Sequence, residues 1–162
     1  MQLDTDLVAG LRRALTISDP RAERGRRAAE ALRAAGRFRW VGLYDVTPTT
    51  IAAFAWTGAT PPAHPTFPRT RGLNGAAVEA RAPVVANDVA NDPRYLTTFE
   101  QTGSEMIIPV LDGDGSVLGT IDVESPTAGA FDAAAQGLVV EAARILSPLW
   151  TDHRDGRMPP SA

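Results

Sequence analysis

Glu105–Leu111 (EMIIPVL) leads into Asp112–Gly115 (DGDG), and Ser116–Glu124 (SVLGTIDVE) follows directly. Two runs rich in Ile and Val, joined by a turn of Asp and Gly, are typical of an antiparallel β-hairpin. With Leu111 opposite Ser116, one face of this hairpin is apolar and must pack against helices. The segment therefore predicts the centre of an antiparallel sheet.

The other face of the hairpin brings acidic residues together. In the same register Glu105 lies directly opposite Asp122, and Glu124 follows two positions along the same face. Directly opposed like charges destabilise a sheet, so something must compensate for them. The compensation remains open between solvent, a shared proton, a metal ion, a ligand bearing an ammonium or polarised N–H donors, and a loop arginine (Arg69, Arg71 or Arg94).

The rest of the chain places helices before and after the strands, which predicts an α+β domain. Asp4 or Thr5 can cap the first helix, and the second helix is expected to end at about residue 35, with Gly36 following it. We expect N-terminal helices over 1–36 packed on a domain over 37–150, and a flexible C-terminal tail over 151–162. The expected elements after 36 are strands over 38–46 and 50–57, a proline-rich loop over 58–71, a short helix over 72–79, an edge strand over 83–86, a loop over 87–103, the hairpin, and a helix from Asp132.

Composition excludes several classes of protein. The 162 residues contain no Cys, which rules out disulfides, thiolate metal sites and thiol nucleophiles. All 16 basic residues are Arg, so no lysine can form a Schiff base. A net charge of -3 gives no general attraction to nucleic acid or acidic membranes. With neither a signal peptide nor an apolar run of membrane length, the expected location is the cytoplasm.

Other conspicuous side chains are less specific. Trp40 and Tyr44 share one strand face, as a core pair or as a pocket wall. His64 is isolated, which favours a position on the loop surface. A basic run on the second helix indicates a solvated helix face, since no aromatic residues interleave; it comprises Arg21, Arg24, Arg26, Arg27 and Arg33.

The chain resembles a GAF domain over roughly residues 39–149. Five segments carry the resemblance: Trp40–Tyr44 (WVGLY), Arg71–Gly75 (RGLNG), Val85–Tyr95 (VANDVANDPRY), Ser104–Val110 (SEMIIPV) and Leu118–Ser125 (LGTIDVES). More narrowly, it is similar to the free methionine-(R)-sulfoxide reductases, a stand-alone GAF family. The resemblance implies an antiparallel sheet of five to six strands, helices on one face, a loop-covered ligand pocket on the other, and dimers. It also implies that Glu105, Asp122 and Glu124 are the acidic residues that contact the ligand.

The sequence departs from that family at its catalytic thiols. Aligned through the flanking motifs, the three cysteine positions fall on Asn74 and near Thr98 and His64. None of these residues can form a thiolate, so thiol-based reduction cannot occur.

We therefore predict a sensory or regulatory GAF domain that binds a small polar, amino-acid-like or ammonium-bearing ligand, with no catalytic residue, cofactor or resident metal. The alternatives are an enzyme of non-thiol chemistry that uses the paired carboxylates, and a regulatory protein that docks through its arginine-rich helix. A homodimer is expected through the terminal helices, because the first helix's Leu stripe and Leu138, Val139, Leu146 and Trp150 exceed what one sheet face covers. The predicted ligand-binding residues are Glu105, Asp122, Glu124, Tyr44, Trp40, Asn74, His64 and Thr98.

Overall fold

A computed structural model describes residues 4–97, 99, 101–154 and 156. Six antiparallel strands form one sheet in the order β3-β2-β1-β6-β5-β4, which confirms the α+β class and the GAF-like architecture. The strands are β1 (Trp40–Val46), β2 (Thr50–Thr57), β3 (Thr66–Pro68), β4 (Val84–Ala86), β5 (Ser104–Leu111) and β6 (Val117–Ser125). The helices are α1 (Thr5–Thr16), α2 (Arg21–Gly36), α3 (Gly72–Ala80), α4 (Ala133–Leu146) and α5 (Pro148–Arg154), with a 3-10 turn at Val89–Asn91.

The main core lies between the sheet and the terminal helices. Apolar side chains of β1, β5 and β6 that point to this face pack against α1, α2 and α4. Most of the side chains expected at a dimer interface pack in this core instead. Those buried within the chain are Leu7, Leu11, Val139, Leu146 and Trp150. These side chains therefore do not form the exposed apolar surface predicted on the terminal helices.

The opposite face of the sheet is covered by α3 and by loops. A second apolar cluster joins Leu73 and Ala77 of α3 to Ile107 of β5, together with Ala86 and Val89. Ile107 points away from the main core, which its neighbours Met106 and Ile108 enter. Helix α3 therefore lies on the pocket side, the face of the sheet opposite the main core.

The hairpin register differs from the predicted one by two residues. Leu111 pairs with Val117, and a bulge at Leu118 makes Val110 pair with Gly119, so that Glu105 faces Glu124 rather than Asp122. The turn is longer than expected because the Asp112 side chain holds it, accepting hydrogen bonds from the backbone amides of residues 114 and 116 at 2.9 Å. Since side chains alternate, a shift of two leaves the acidic residues on their predicted face.

The bulge also exchanges two apolar neighbours. Val117 joins a third apolar cluster with Trp40 and Tyr44, on the face opposite the main core, and Leu118 joins the main core. A regular hairpin with Leu111 opposite Ser116 would place these two residues the other way round. An unpaired residue in one strand resets the alternation of the residues beyond it, so a regular hairpin register could not place these two correctly.

Helix α2 ends one residue later than predicted. Gly36 is its last residue, and Arg37 rather than Gly36 takes the left-handed conformation, with φ 55°. A Cβ at Gly36 would lie 2.1 Å from the Phe38 ring, so glycine is needed here for the close approach of that ring.

Two arginines of the predicted basic face point inward. Arg24 is buried, and Arg21 donates two hydrogen bonds to the Asp45 carboxylate, at 2.7 and 2.8 Å. The others form exposed ion pairs, such as Arg26 with Glu23. The helix thus ties its basic residues to the chain itself.

The C-terminal end continues as helix through Arg154, and the remainder of the predicted tail lies outside the described residues apart from residue 156. Among the described helices, none has the length and apolar character needed to cross a membrane.

Candidate functional site

Three carboxyl groups meet on the pocket face of the sheet. Glu105 comes from β5, and Asp122 and Glu124 come from β6, with exposed fractions of 3%, 1% and 0%. One carboxylate oxygen from each residue lies within 4.8 Å of the other two. Buried acidic side chains at this spacing are costly unless a proton, a cation or hydrogen-bond donors compensate for their charge.

Strand β1 supplies the wall beside these acids. Trp40 pairs with Glu124, Gly42 with Asp122 and Tyr44 with Thr120. A Cβ at residue 42 would lie 2.3 Å from the Trp40 ring and 2.9 Å from the Tyr44 ring. Glycine therefore lets two aromatic rings flank the acidic residues on the same face.

Polar neighbours satisfy part of the cluster. The Asn74 amide nitrogen donates to Asp122 Oδ2 at 3.0 Å, and the Thr120 hydroxyl donates to the Asn74 amide oxygen. The Thr102 hydroxyl donates to Glu124 Oε2 at 3.0 Å. Two buried oxygens, Glu105 Oε2 and Asp122 Oδ1, have no hydrogen-bond partner among the described residues.

The electrostatics favour retention of protons. Burial raises the pKa of Glu105 well above its usual value, and the charges of Asp122 and Glu124 raise it further. Burial and the charge of Glu124 likewise raise the pKa of Asp122, against the hydrogen bond from Asn74, which lowers it. The pKa of Tyr44 is raised by burial and then by the three carboxylates. The site therefore disfavours further negative charge.

The three loop arginines considered as counterions, Arg69, Arg71 and Arg94, form no ion pair with Glu105 or Asp122 within the described residues. Arg94 forms an ion pair with Asp92 at 2.7 Å, and Arg69 donates to the Thr47 carbonyl at 2.8 Å. Over the described ranges, no ion pair involves Glu105, Asp122 or Arg71. Within the described part of the chain, a loop arginine therefore does not neutralise Glu105 or Asp122.

A cavity of about 20 Å³ lies directly against the acids. Its walls include Tyr44, Asn74, Glu105 and Asp122, and the loop residues His64 and Leu96 close it. This volume is enough for about one water molecule. A ligand of amino-acid size would therefore require the loops to move outward.

Five of the eight predicted residues line this cavity: Tyr44, His64, Asn74, Glu105 and Asp122. Glu124 lies beside them in the acidic cluster. Trp40 packs on Phe99 and donates its indole N–H to the Thr60 carbonyl at 3.0 Å. Thr98 lies outside the described residues.

His64 lies in the loop before β3. Its ring is half-buried, and Nε2 lies 3.0 Å from the Thr97 carbonyl, so it joins the two loops that cover the cavity. Sequence reasoning also left out Thr120 and Thr102. Thr120 could have been found, because it lies on the same strand face as Asp122, whereas Thr102 lies in a loop outside any strand pattern.

In the described part of the chain, the three carboxylates form the one group of acidic or histidine side chains with spacing suited to a metal ion. Their oxygen ligands are of the type that Mg²⁺ and Ca²⁺ prefer. The apolar and aromatic side chains around the cavity, such as Leu73, Leu96 and Phe67, suit an organic cation equally well.

Comparisons with known proteins agree with the architecture. A family model described as a GAF domain matches residues 20–148. Protein ZMO0507 of Zymomonas mobilis is 30% identical over 132 residues, which cover 81% of each chain. The type II free methionine-R-sulfoxide reductase of Thermoplasma acidophilum superimposes with a TM-score of 0.76 at 25% identity, covering 88% of this chain and 96% of that one.

The GAF domain of an Acinetobacter phosphoenolpyruvate-protein phosphotransferase superimposes with a TM-score of 0.81 at 17% identity, over 96% of this chain and 99% of that one, and shows a shared fold. The match of the family model across most of the chain, together with the sheet order and the pocket-side helix, leads to one conclusion. The chain belongs to the GAF domain family.

Proposed function

We propose that this protein is a ligand-binding GAF domain whose pocket takes a small polar molecule bearing an ammonium group or several N–H donors. The observation that carries the proposal is the buried acidic cluster, in which Glu105 Oε2 and Asp122 Oδ1 lack hydrogen-bond partners. A cationic donor would supply both the missing hydrogen bonds and the missing positive charge. A sensory or regulatory role follows from binding without chemistry.

Similarity to a free methionine-R-sulfoxide reductase supports a ligand of amino-acid size. The aromatic wall of Trp40 and Tyr44 suits the apolar part of such a ligand, and the acidic residues suit its ammonium group. The loops that carry His64 and Leu96 would open to admit it, since the cavity holds about one water molecule.

The proposal includes the absence of thiol-based reduction, because the chain has no cysteine. Purified protein is incubated with free methionine sulfoxide and either a small dithiol or a thioredoxin-type donor. We expect no consumption of the substrate beyond the rate without protein. Turnover that depends on the protein would refute this part of the proposal.

Ligand-dependent melting tests binding itself. Wild type and Asp122→Asn are melted with and without a panel of free amino acids that includes methionine sulfoxide. We expect at least one amino acid to raise the melting temperature of the wild type, and the variant to bind it about ten- to a hundredfold more weakly, because a charge-assisted hydrogen bond is lost. A panel that shifts neither protein would contradict binding of this ligand class.

A second candidate is an enzyme of non-thiol chemistry. The raised pKa of Glu105 favours it, because a buried carboxyl group that keeps its proton above the usual pH range can act as a general acid. The two candidates differ in one readout. An enzyme would consume one member of the amino-acid panel with a pH-dependent rate, whereas a binding module would leave every member intact.

We also propose that the protein acts in the cytoplasm as a homodimer. Partly buried apolar residues of the described helices support contact through the helical layer, among them Leu15, Leu138, Val140 and Ile145. Docking through arginines of α2 has less support, because Arg21 and Arg24 are turned into the chain. Light scattering coupled to gel filtration tests the dimer, and a mass of one chain at micromolar concentration would contradict it.

A further inference from the structure

We infer that Asn74, oriented by Thr120, is a positioning residue that keeps the negative charge of the acidic pair on Asp122 and the proton on Glu105, and that a cationic ligand binds by displacing this proton. Asn74 acts in this way in the ligand-free protein, whereas the displacement of the proton by a cationic ligand rests on the proposed function.

The amide of Asn74 has both ends committed. Its oxygen accepts a hydrogen bond from the Thr120 hydroxyl, which leaves its nitrogen to face Asp122 Oδ2 at 3.0 Å. All three side chains are buried, so water does not compete for these bonds. An amide nitrogen can only donate, and a donor favours the ionised form of the carboxyl group that it contacts.

Glu105 has no comparable donor in the part of the chain that the structure describes. Its Oε2 is buried without a hydrogen-bond partner, and its carboxyl group is close enough to Asp122 for a hydrogen bond once a proton lies between them. That bond raises the pKa of Glu105 and lowers the pKa of Asp122. A proton on Glu105 converts two facing acceptors into a donor and an acceptor, which is the less costly arrangement in a buried site.

The groups around Glu105 provide little positive charge. Asp122 and Glu124 face it from β6, Tyr44 faces it from β1, and Asp92 acts on it from the loop after the 3-10 turn. His64 lines the same cavity from the loop before β3 and, of these described groups, is the one that could become cationic. A retained proton is therefore the main compensation for charge in the ligand-free site.

A cationic ligand can replace that proton with no change in the net charge of the pocket. The protonated Glu105 and an ammonium ion R–NH3⁺ give a Glu105 carboxylate paired with R–NH3⁺, and one proton leaves to solvent. No covalent bond of the ligand changes. Because a proton is released, the affinity should rise by up to about tenfold for each pH unit over which Glu105 remains protonated in the free protein.

The assignment of charge is tested without any ligand. Side-chain carboxyl carbons of Asp and Glu are followed by NMR during a pH titration of wild type, Thr120→Val and Thr120→Ser. We expect Asp122 to ionise at a lower pH than Glu105 in the wild type. Thr120→Val removes the hydroxyl that orients Asn74, so the Asp122 midpoint should rise by about one unit or more.

Thr120→Ser keeps the hydroxyl and is the matched control, with midpoints close to those of the wild type. If Thr120→Val does not fold, Asn74→Ala removes the donor itself and should raise the Asp122 midpoint in the same direction. Ionisation of Glu105 before Asp122 in the wild type would overturn the assignment. Equal midpoints in the Val and Ser variants would overturn the role of the oriented amide.

Proton release is measured with methylammonium chloride as the probe and sodium chloride at the same ionic strength as the control. Calorimetric titrations in two buffers of different ionisation enthalpy should show close to one proton released per bound methylammonium below the Glu105 midpoint. Binding without proton release would overturn the displacement while leaving the proposed function intact. Absence of binding would overturn displacement and count against the proposed function, while the carboxyl titration would still decide the role of Asn74.

Discussion

Two charged clusters lie on opposite faces of the same sheet and differ in how far hydrogen bonds satisfy their charged groups. On the helix side, Arg21 binds the Asp45 carboxylate with two hydrogen bonds, donates to the Leu149 carbonyl at 2.7 Å, and lies 3.6 Å above the Phe54 ring. On the pocket side, Glu105 and Asp122 each retain a buried oxygen that no described residue hydrogen-bonds.

The difference indicates that the Arg21–Asp45 pair stabilises the fold, whereas the acidic cluster does not. The Arg21 cluster joins α2, β1, β2 and α5, so its residues act as a structural tie. The acidic residues lie on neighbouring strands that the backbone already pairs, and beyond those strands they accept single hydrogen bonds from Asn74 of α3 and from Thr102. Repulsion between their carboxylates opposes folding. Removing a group from each cluster should therefore change stability in opposite directions.

The largest effect is expected from the structural tie. Arg21→Met keeps much of the aliphatic length of the side chain but removes every donor, which strands the Asp45 carboxylate and the Leu149 carbonyl. We expect a loss of about 2–3 kcal/mol in the free energy of unfolding, measured by urea denaturation at pH 7. The loss is below that of a fully buried pair because the Asp45 side chain is 30% exposed.

Arg26→Met is the matched control on the same helix. Arg26 forms an exposed pair with Glu23, and pairs of this kind contribute about 0–1 kcal/mol. Equal losses in the two variants would show that Arg21 is no more structural than a surface arginine.

The second effect concerns the pH dependence of the acidic cluster. Because the pKa of Glu105 is raised in the folded chain, the folded state holds a proton that the unfolded state releases above about pH 4.5. The ligand-free protein should therefore lose stability as the pH rises from this value through the folded-state pKa, by up to about 1.4 kcal/mol per pH unit for one proton. Urea denaturation at a series of pH values measures this slope.

Glu105→Gln should flatten the slope, because the variant has no proton to lose at this position. Glu141→Gln makes the same substitution in an exposed pair with Arg144 and should leave the slope unchanged. A wild-type stability that rises across the same interval would contradict a proton held at Glu105.

The acidic cluster could be predicted from the sequence, because its position depends on the alternation of side chains along strands. The hairpin pattern placed Glu105, Asp122 and Glu124 on one face, and a register error of two residues did not change that face. What the pattern could not supply was the bulge at Leu118, since one unpaired residue depends on how the turn closes.

The structural tie could not be predicted in the same way. Arg21 is one of several arginines on α2, and helical spacing alone does not distinguish it from exposed Arg26. Its role depends on the packing of α5 and β1 around the start of α2, which involves residues more than a hundred positions apart. The loop contact of His64 with residue 97 is likewise a tertiary feature without a local signal.

A smaller effect with opposite signs is expected from one substitution made in both clusters. Asp45→Asn weakens the acceptor of Arg21 and should lower the free energy of unfolding by about 0.5–1 kcal/mol. Asp122→Asn relieves repulsion and should leave it equal or raise it by about 0.2–1 kcal/mol. Melting curves at pH 7 without ligand compare the two, where 1 kcal/mol corresponds to about 2–4 °C.

A variant Asp122→Asn that melts several degrees below the wild type would contradict the view that its charge opposes folding. Such a result would indicate that the hydrogen bonds to the ionised Asp122 outweigh the repulsion from its neighbours, and the distinction between the two clusters would no longer hold.

The smallest effect on stability is expected where the pocket is closed by loops. His64 contacts the Thr97 carbonyl through Nε2 at 3.0 Å, in an exposed hydrogen bond between two loops. His64→Ala should therefore reduce the free energy of unfolding by only about 0.5 kcal/mol.

The loop that carries Leu96 should nevertheless open more often in His64→Ala, because one of its attachments is lost, and its backbone amides should exchange with solvent several-fold faster. Hydrogen exchange followed by NMR measures this, with His153→Ala as the control, since the exposed His153 lies on α5 away from the cavity. Unchanged exchange at Leu96 in His64→Ala would mean that the acidic cluster is covered by packing alone, so that entry of a ligand would be governed by Leu96 and its apolar neighbours rather than by the histidine.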